Sequence, residues 1–590
     1  MADKASASKN YRDIAQGFGV CTLAVIFLYL MSGMNAVSLR EMPLSILMTV
    51  FTTACVYYVT RAFVSTSKRF LSLASAIPVF AVYMLIFTLS FKAVNRATLS
   101  CISIMENVML WGGLGTITVC VIVLIAAHKF EAKDAVTAVL CAGFVLRAVM
   151  VIFTPLNFWQ HDVSNFSEDQ AGFHDTYILY IYNNMALPSG DVRDLGQFYH
   201  PPLHYLLSAL FLKLHTVLPT RFAGNINGLK FLPMLWTSYF ILFAKKTLEW
   251  FKIEGKALVI SLALIVFCPQ MIFLAIQVNN DALALMLFAA SIFLALKWYS
   301  KPELATILFL AIAIGCAMMT KLSMGFVALP VAWLFLAKLV KTVKEPVESK
   351  AQKAAHKGRI KDLIKQFAVF AVTVFPLGLW FPLKNLITYG TPVTYVFEID
   401  SSAGQDVWMY SVWQRLFAPS KELLSTPFLQ EGGSLNDFNI PLAILKTGLF
   451  DERRFTDPYL VFVAKALVVL AFVLVLVIAV CAVYGAYKRI KESGKNAENI
   501  ALWILAAALI LPEILFCFKH PVVCTQSFRY IVPVLIPAAF WCGSIVKTDS
   551  GAAKAMSKVI TAVTVLFVIA VIMFYGVFAQ YSGSWEALIR

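Results

Sequence analysis

Charge is scarce in this chain. Asp, Glu, Lys and Arg make up 14% of its 590 residues, against about 25% in an ordinary soluble protein. Paired cysteines are missing too: the 11 cysteines are scattered, with no CxxC and no Cys/His ligand spacing. Most of them (Cys21, Cys55, Cys120, Cys141, Cys268, Cys316, Cys481, Cys517, Cys542) lie inside apolar runs, where a thiol behaves as a small buried hydrophobe. There is no glycine-rich phosphate loop, nucleophile elbow or HExxH. A soluble nucleotide-sugar or ATP site is therefore unsupported. Neither a short-period repeat nor a soluble domain is visible.

What the chain does have is apolar sequence, 60% of the total. Runs of about 20 residues, each long enough to cross a bilayer as a helix, recur at 14–34, 42–61, 70–91, 107–128, 134–155, 228–246, 257–277, 281–298, 303–319, 322–341, 366–387, 457–486, 499–518, 526–546 and 557–579. The expected fold is an all-α polytopic membrane protein of about fifteen spans. The net charge of +16 points to topology and to no nucleic acid. With the N-terminus inside, Lys and Arg gather at every inner link, from Arg61, Lys68 and Arg69 through the cluster Lys338–Lys365 to Lys547, Lys554 and Lys558. The first apolar run is long and lacks a clear cleavage site, so it is expected to be a retained span. Residues 1–133 form a four-helix extension, 134–400 a core with an outer loop at 156–227, 401–456 an outer cap, and 457–590 the last membrane helices.

This orientation requires 201–217 to lie at the outer interface rather than cross, opened by Pro201 and Pro202. The tyrosine-rich stretch 169–186, with Phe173, Tyr177, Tyr180, Ile181 and Met185 on one face, has the same character. The basic stretch 342–363 reads as a solvated link near anionic lipid.

The outer loop concentrates acids, histidines and tyrosines. Asp162 follows a span and could take a proton from an acceptor hydroxyl; a solvated loop acid would look the same. His161 beside it could orient a substrate or ligate a metal. Asp281 opens a span after Asn279 and Asn280, which also suits an ordinary helix start. If Asp162 and Asp281 meet across a cavity, they could share a divalent ion, magnesium or manganese. Arg529 could clamp a phosphate, with Tyr530 beside it. Lys321 and Lys384 sit at outer span ends, against the charge trend. Arg147 lies inside a span, where charge is expensive.

An acid after a span, the segment FYHPPLHYLLSALFLKL, then NNDALAL, MTKLS and FRYIVP together resemble the GT-C membrane glycosyltransferases. The nearest likeness is to the bacterial branch of glycosyltransferase family 39, similar to protein O-mannosyltransferases and aminoarabinose transferases. It covers about residues 134–400 and the FRYIVP span. The resemblance implies a GT-C-like bundle in a bacterial plasma membrane. It also implies a polyprenyl-phosphate-linked sugar donor, and inverting transfer on the extracytoplasmic face to a protein hydroxyl, a lipid or a wall glycan. By position, Asp162 and Asp281 match the catalytic acids and Arg529 a donor-phosphate ligand. His161, His174, Tyr199, His200, Lys321, Lys384 and Tyr530 are the accompanying candidates for substrate contact. The chain departs from the mannosyltransferase pattern in having His161 and Val163, not a second acid, beside Asp162; Glu168, Asp169 or Asp175 would then supply it. The competing class is a secondary transporter or lipid-carrier flippase. That class favours related halves and ionisable groups near mid-bilayer; here the acids sit at the outer boundary and no duplicated half is detected.

Overall fold

The computed structural model describes residues 17–26, 28–29, 99–154, 156, 159–164, 172–217, 226–397, 403–433, 435–491, 497–548 and 551–578. Among these, the architecture is helical, and the one extended pairing is a single bridge between Asp406 and Val522. Eight helices are long and apolar enough to cross a membrane, or nine if a bent pair counts as one span. The chain is thus a multi-pass α-helical membrane protein, and the described residues do not confirm the expected fifteen spans. The stretches 42–61 and 70–91 lie outside the described residues, and of 14–34 only 17–26 and 28–29, which are helical, are described.

The α-helices of at least 11 residues after residue 98 begin with α1 (Leu99–Ala126), α2 (Ala132–Phe153), α3 (His174–Asn184), α4 (Leu203–Val217), α5 (Phe231–Trp250), α6 (Gly255–Val266), α7 (Asp281–Ser300) and α8 (Leu304–Met318). They continue with α9 (Ala328–Val343), α10 (Lys350–Tyr389), α11 (Ile440–Phe450), α12 (Pro458–Lys491), α13 (Ala497–Lys519), α14 (Leu535–Val546) and α15 (Gly551–Phe578). The core is one apolar cluster in which α7 packs on α5 and α8, α8 on α10, α6 on α2 and α14, and α12 on α15. Several helix contacts leave no room for a side chain at a glycine. A Cβ at Gly143 would stand 2.0 Å from Val266 Cγ1, and one at Gly543 would stand 2.3 Å from Ser261 Oγ. Small residues of this kind let membrane helices approach closely.

Three expected spans differ in form. The run 257–277 breaks after Val266; Pro269 starts a separate turn, Pro269–Phe273, because proline offers no N–H to continue a helix. The run 526–546 bends by 45° between Val523–Tyr530 and Val532–Val546, with Pro533 at the break. The run 303–319 is α8, 15 residues long, short of the ~20 needed to span. The stretch 342–363 is a correction. From Lys350 it is helical, and α10 runs for 40 residues, about 60 Å at about 1.5 Å per residue. Its start is a capping box: Ser349 Oγ accepts from Gln352 N at 3.2 Å, and Gln352 Oε1 accepts from Ser349 N at 3.1 Å. Gly390, at φ 69°, ends it.

The helix α4 is too short to be a span and reverses the usual polarity of a surface helix. Leu206, Leu210 and Leu214 face outward, while His204 and Ser208 are buried. Spaced at i, i+4 and i+8, the leucines form one stripe, which suits contact with hydrocarbon rather than water.

Candidate functional site

The chain leaving α2 is fixed by side-chain bonds to backbone groups. Gln160 Nε2 donates to Ile276 O at 2.9 Å and its Oε1 accepts from Val278 N at 2.7 Å. Arg453 Nη2 holds Gln160 O at 2.8 Å. Trp159 and Asp162 both take positive φ, 59° and 53°, which turns the chain sharply. The Trp159 ring is seated among Phe273, Phe455 and Phe578, with centroids 5.5, 5.9 and 4.7 Å away. The turn buries His161 and leaves Asp162 exposed. The next element is tied to the same turn, because His174 N donates to Asp162 O at 2.8 Å. At its far end, Gln197 N donates to Gly172 O at 2.9 Å. A Cβ on Gly196 would lie 2.4 Å from that oxygen, so only glycine fits. Leu203 N donates to Met319 O at 3.0 Å, which sets the start of α4 against the end of α8.

Around this frame runs a chain of charged contacts drawn from five distant segments. Asp281 pairs with Lys321. The Lys321 ammonium lies 4.6 Å from the centre of the Tyr530 ring, within cation–π range. Arg529 Nη2 donates to Tyr530 Oη at 2.9 Å and lies 3.8 Å from Glu452 Oε1. Glu452 Oε2 is 3.1 Å from His161 Nδ1, and Asp451 Oδ2 is 2.8 Å from His161 Nε2. Asp451 Oδ2 also accepts from Gln277 Nε2 at 2.5 Å. His161 is thus flanked by a carboxylate at each ring nitrogen. Burial and Arg529 oppose a charge on the ring, but Asp451 and Glu452 outweigh them and push His161 up to about 9. Burial would raise both acids, but His161 and Arg529 hold them below their usual range.

A second group is aromatic. His174 Nδ1 is 2.6 Å from Tyr205 Oη. His174 stacks on His200 at 5.4 Å, and Tyr205 on Tyr177 at 4.1 Å. Tyr199 leans on His200 at 4.1 Å. Burial, opposed by Asp281 and aided by Lys321 and Arg529, pushes His174 down to about 3, so its ring is neutral at pH 7.

The structure therefore brings most of the expected residues to one end of the bundle. Asp281 and Asp162 both act electrostatically on Arg529 and on Tyr199. Lys321, His161, His174, His200 and Tyr530 join them through the contacts above. Lys384 does not: it is half-buried on α10 and makes none of these contacts among the described residues. Asp175 is committed elsewhere, its carboxylate accepting from Ser164 N at 2.9 Å and Ser164 Oγ at 2.9 Å. Glu168 and Asp169 lie outside the described residues. Arg147 is buried in α2, and its Nε and Nη1 have no hydrogen-bond partner among the described residues. Asp281, the expected partner of Asp162 in holding an ion, pairs through Oδ1 with Lys321. Among the described residues, His161, Asp451 and Glu452 form a group with ligand-like spacing. Sequence reasoning missed the last two because 401–456 was read only as a cap. The available signal was FDERRF, two acids and two arginines following the apolar helix α11.

No family model matches this chain, and no curated protein does.

Proposed function

We propose that the chain is an inverting glycosyltransferase that moves a sugar from a polyprenyl-phosphate donor to an acceptor hydroxyl at the extracytoplasmic rim of a bacterial plasma membrane. Arg529 carries the case. It is buried, its Nε has no hydrogen-bond partner among the described residues, and its Nη2 contact with Glu452 is loose at 3.8 Å. An arginine held in place with an unspent donor is a ready phosphate clamp. Lys321, across the Tyr530 ring, supplies a second cation. A lipid-linked donor brings its own leaving group and anchor, so no nucleotide fold is needed. The outward leucines of α4 offer a surface for the isoprenoid.

In this scheme Asp162, the exposed acid, accepts the proton of the acceptor hydroxyl. The freed oxygen attacks the anomeric carbon opposite the phosphate. The sugar–phosphate C–O bond breaks with its electron pair staying on the phosphate oxygen, where Arg529 and Lys321 balance the charge. The products are an inverted glycoside and polyprenyl phosphate. Asp281 orients Lys321, and the neutral His174–Tyr205 pair contributes hydrogen bonds to sugar hydroxyls. Purified full-length chain given polyprenyl-phospho-mannose or -glucose, with a hydroxyl acceptor, should release polyprenyl phosphate. Movement of the intact lipid across a vesicle without release would make the chain a transporter instead.

A further inference from the structure

We infer that His161, Asp451 and Glu452 form a binding site for one divalent first-row transition cation, with Gln277 as a neighbouring oxygen donor. The ligand atoms of the three residues lie within 4.8 Å of one another. They come from two places in the chain, 290 residues apart at His161 and Asp451, and each is fixed by its backbone. His161 sits in the turn locked by Gln160. Asp451 is the residue after α11, with a positive φ of 56°, and its N–H bonds to Thr447 O at 2.9 Å. The α11 helix is itself pinned, because Phe528 N donates to Thr447 Oγ1 at 3.0 Å.

Two atoms at this place have no hydrogen-bond partner among the described residues although both residues are fully buried: Asp451 Oδ1 and Gln277 Oε1. Orphaned buried oxygens are costly. Here they belong to a ligand and to the amide already bonded to it. Glu431 adds a further buried oxygen, Oε2, without a partner, in electrostatic contact with Glu452 and His161. A cation on His161 Nε2 would give Asp451 Oδ1 a partner beside the Gln277 amide, while Glu452 Oε2 accepts from the ring's Nδ1–H. Two carboxylates and a neutral imidazole carry two negative charges, which a divalent ion balances. One nitrogen with several oxygens suits manganese, iron or zinc better than calcium, which takes oxygen alone. On binding, the ion takes the place of the proton the ring shares with Asp451. This inference stands apart from the sugar-transfer proposal, since binding is read on the resting chain without donor.

The test uses full-length chain in detergent, stripped with chelator and titrated with manganese. One Mn²⁺ should bind per chain, and pulsed electron paramagnetic resonance should show coupling to an imidazole ¹⁴N. His161→Gln should weaken binding at least about 100-fold and Gln277→Leu about 10-fold, whereas Asp281→Asn should keep the ion. Should His161→Gln fail to fold, the nitrogen coupling in the unaltered chain still decides. Absence of tight Mn²⁺ or Zn²⁺ binding, or a bound ion without nitrogen coupling, would overturn the inference. So would an ion lost in Asp281→Asn and kept in His161→Gln.

Discussion

The two ends of α10 face opposite electrostatic situations. Near Lys350 the charges are many, exposed and locally paired. Arg359 meets Glu345 at 2.8 Å with 55% and 42% of the side chains exposed, 14 residues apart. Near Tyr389 the chain reaches the other end of the bundle, where Tyr389 Oη accepts from Gly190 N at 3.1 Å. Beside Tyr389 itself lies the local, partly exposed pair Arg193–Asp191, but in the candidate site at that end charges are buried and paired across the sequence: His161 and Asp451 are 5% and 0% exposed. Exposed pairs gain little because water and salt screen them. Buried pairs are costly to assemble and costly to break. The first end can set orientation in the membrane by number alone. The second spends folding energy to hold charge in a fixed geometry, which is what a site requires.

Substitutions can break or sharpen this contrast. The largest effect is expected from Asp162→Asn, which removes the proposed base and should slow donor cleavage by ~10²–10⁴-fold, measured as polyprenyl phosphate released per minute. Arg529→Met should slow it by ~10²–10³-fold, with the chain still folded by size-exclusion chromatography. Lys446→Met leaves Asp437 buried without its cation, with Gln430 N still donating to it at 2.7 Å; the pair is now fully buried at 3.0 Å. A loss of about 3–5 kcal/mol is expected, seen as a lowered melting temperature, with part of it recovered by adding Asp437→Asn. Trp298→Phe removes the indole bond to Gln366 Oε1, 2.7 Å long and buried, for about 1–3 kcal/mol. Arg359→Ala, at the exposed end, should stay within about 1 kcal/mol and leave donor cleavage unchanged; a large loss there would erase the distinction between the two ends.

Much of the helix pattern was legible because each helix carries its own signal. The runs 107–128, 134–155, 281–298 and 557–579 coincide with Met109–Ala126, Ala132–Phe153, Asp281–Ser300 and Gly551–Phe578. Where averaging hydropathy failed, a local rule was outvoted: Pro269 within 257–277, and Ser349 with Gln352 ahead of a lysine-rich stretch. The gathering of residues was legible only in part. Asp281, Lys321 and Arg529 stand out because each is a charge bordering an apolar run. Asp451 and Glu452 stand out less: they follow an apolar helix, but in DERR each acid is offset by an arginine. Their importance comes from packing α11 beside the turn after α2, and no local pattern encodes a contact across 290 residues.

The most direct test is a single comparison of purified chain and its Asp162→Asn variant on polyprenyl-phospho-mannose and -glucose. Release of polyprenyl phosphate by the first and near-complete loss in the second is the outcome expected of a transferase. Intact donor with both, or equal release by both, would contradict it.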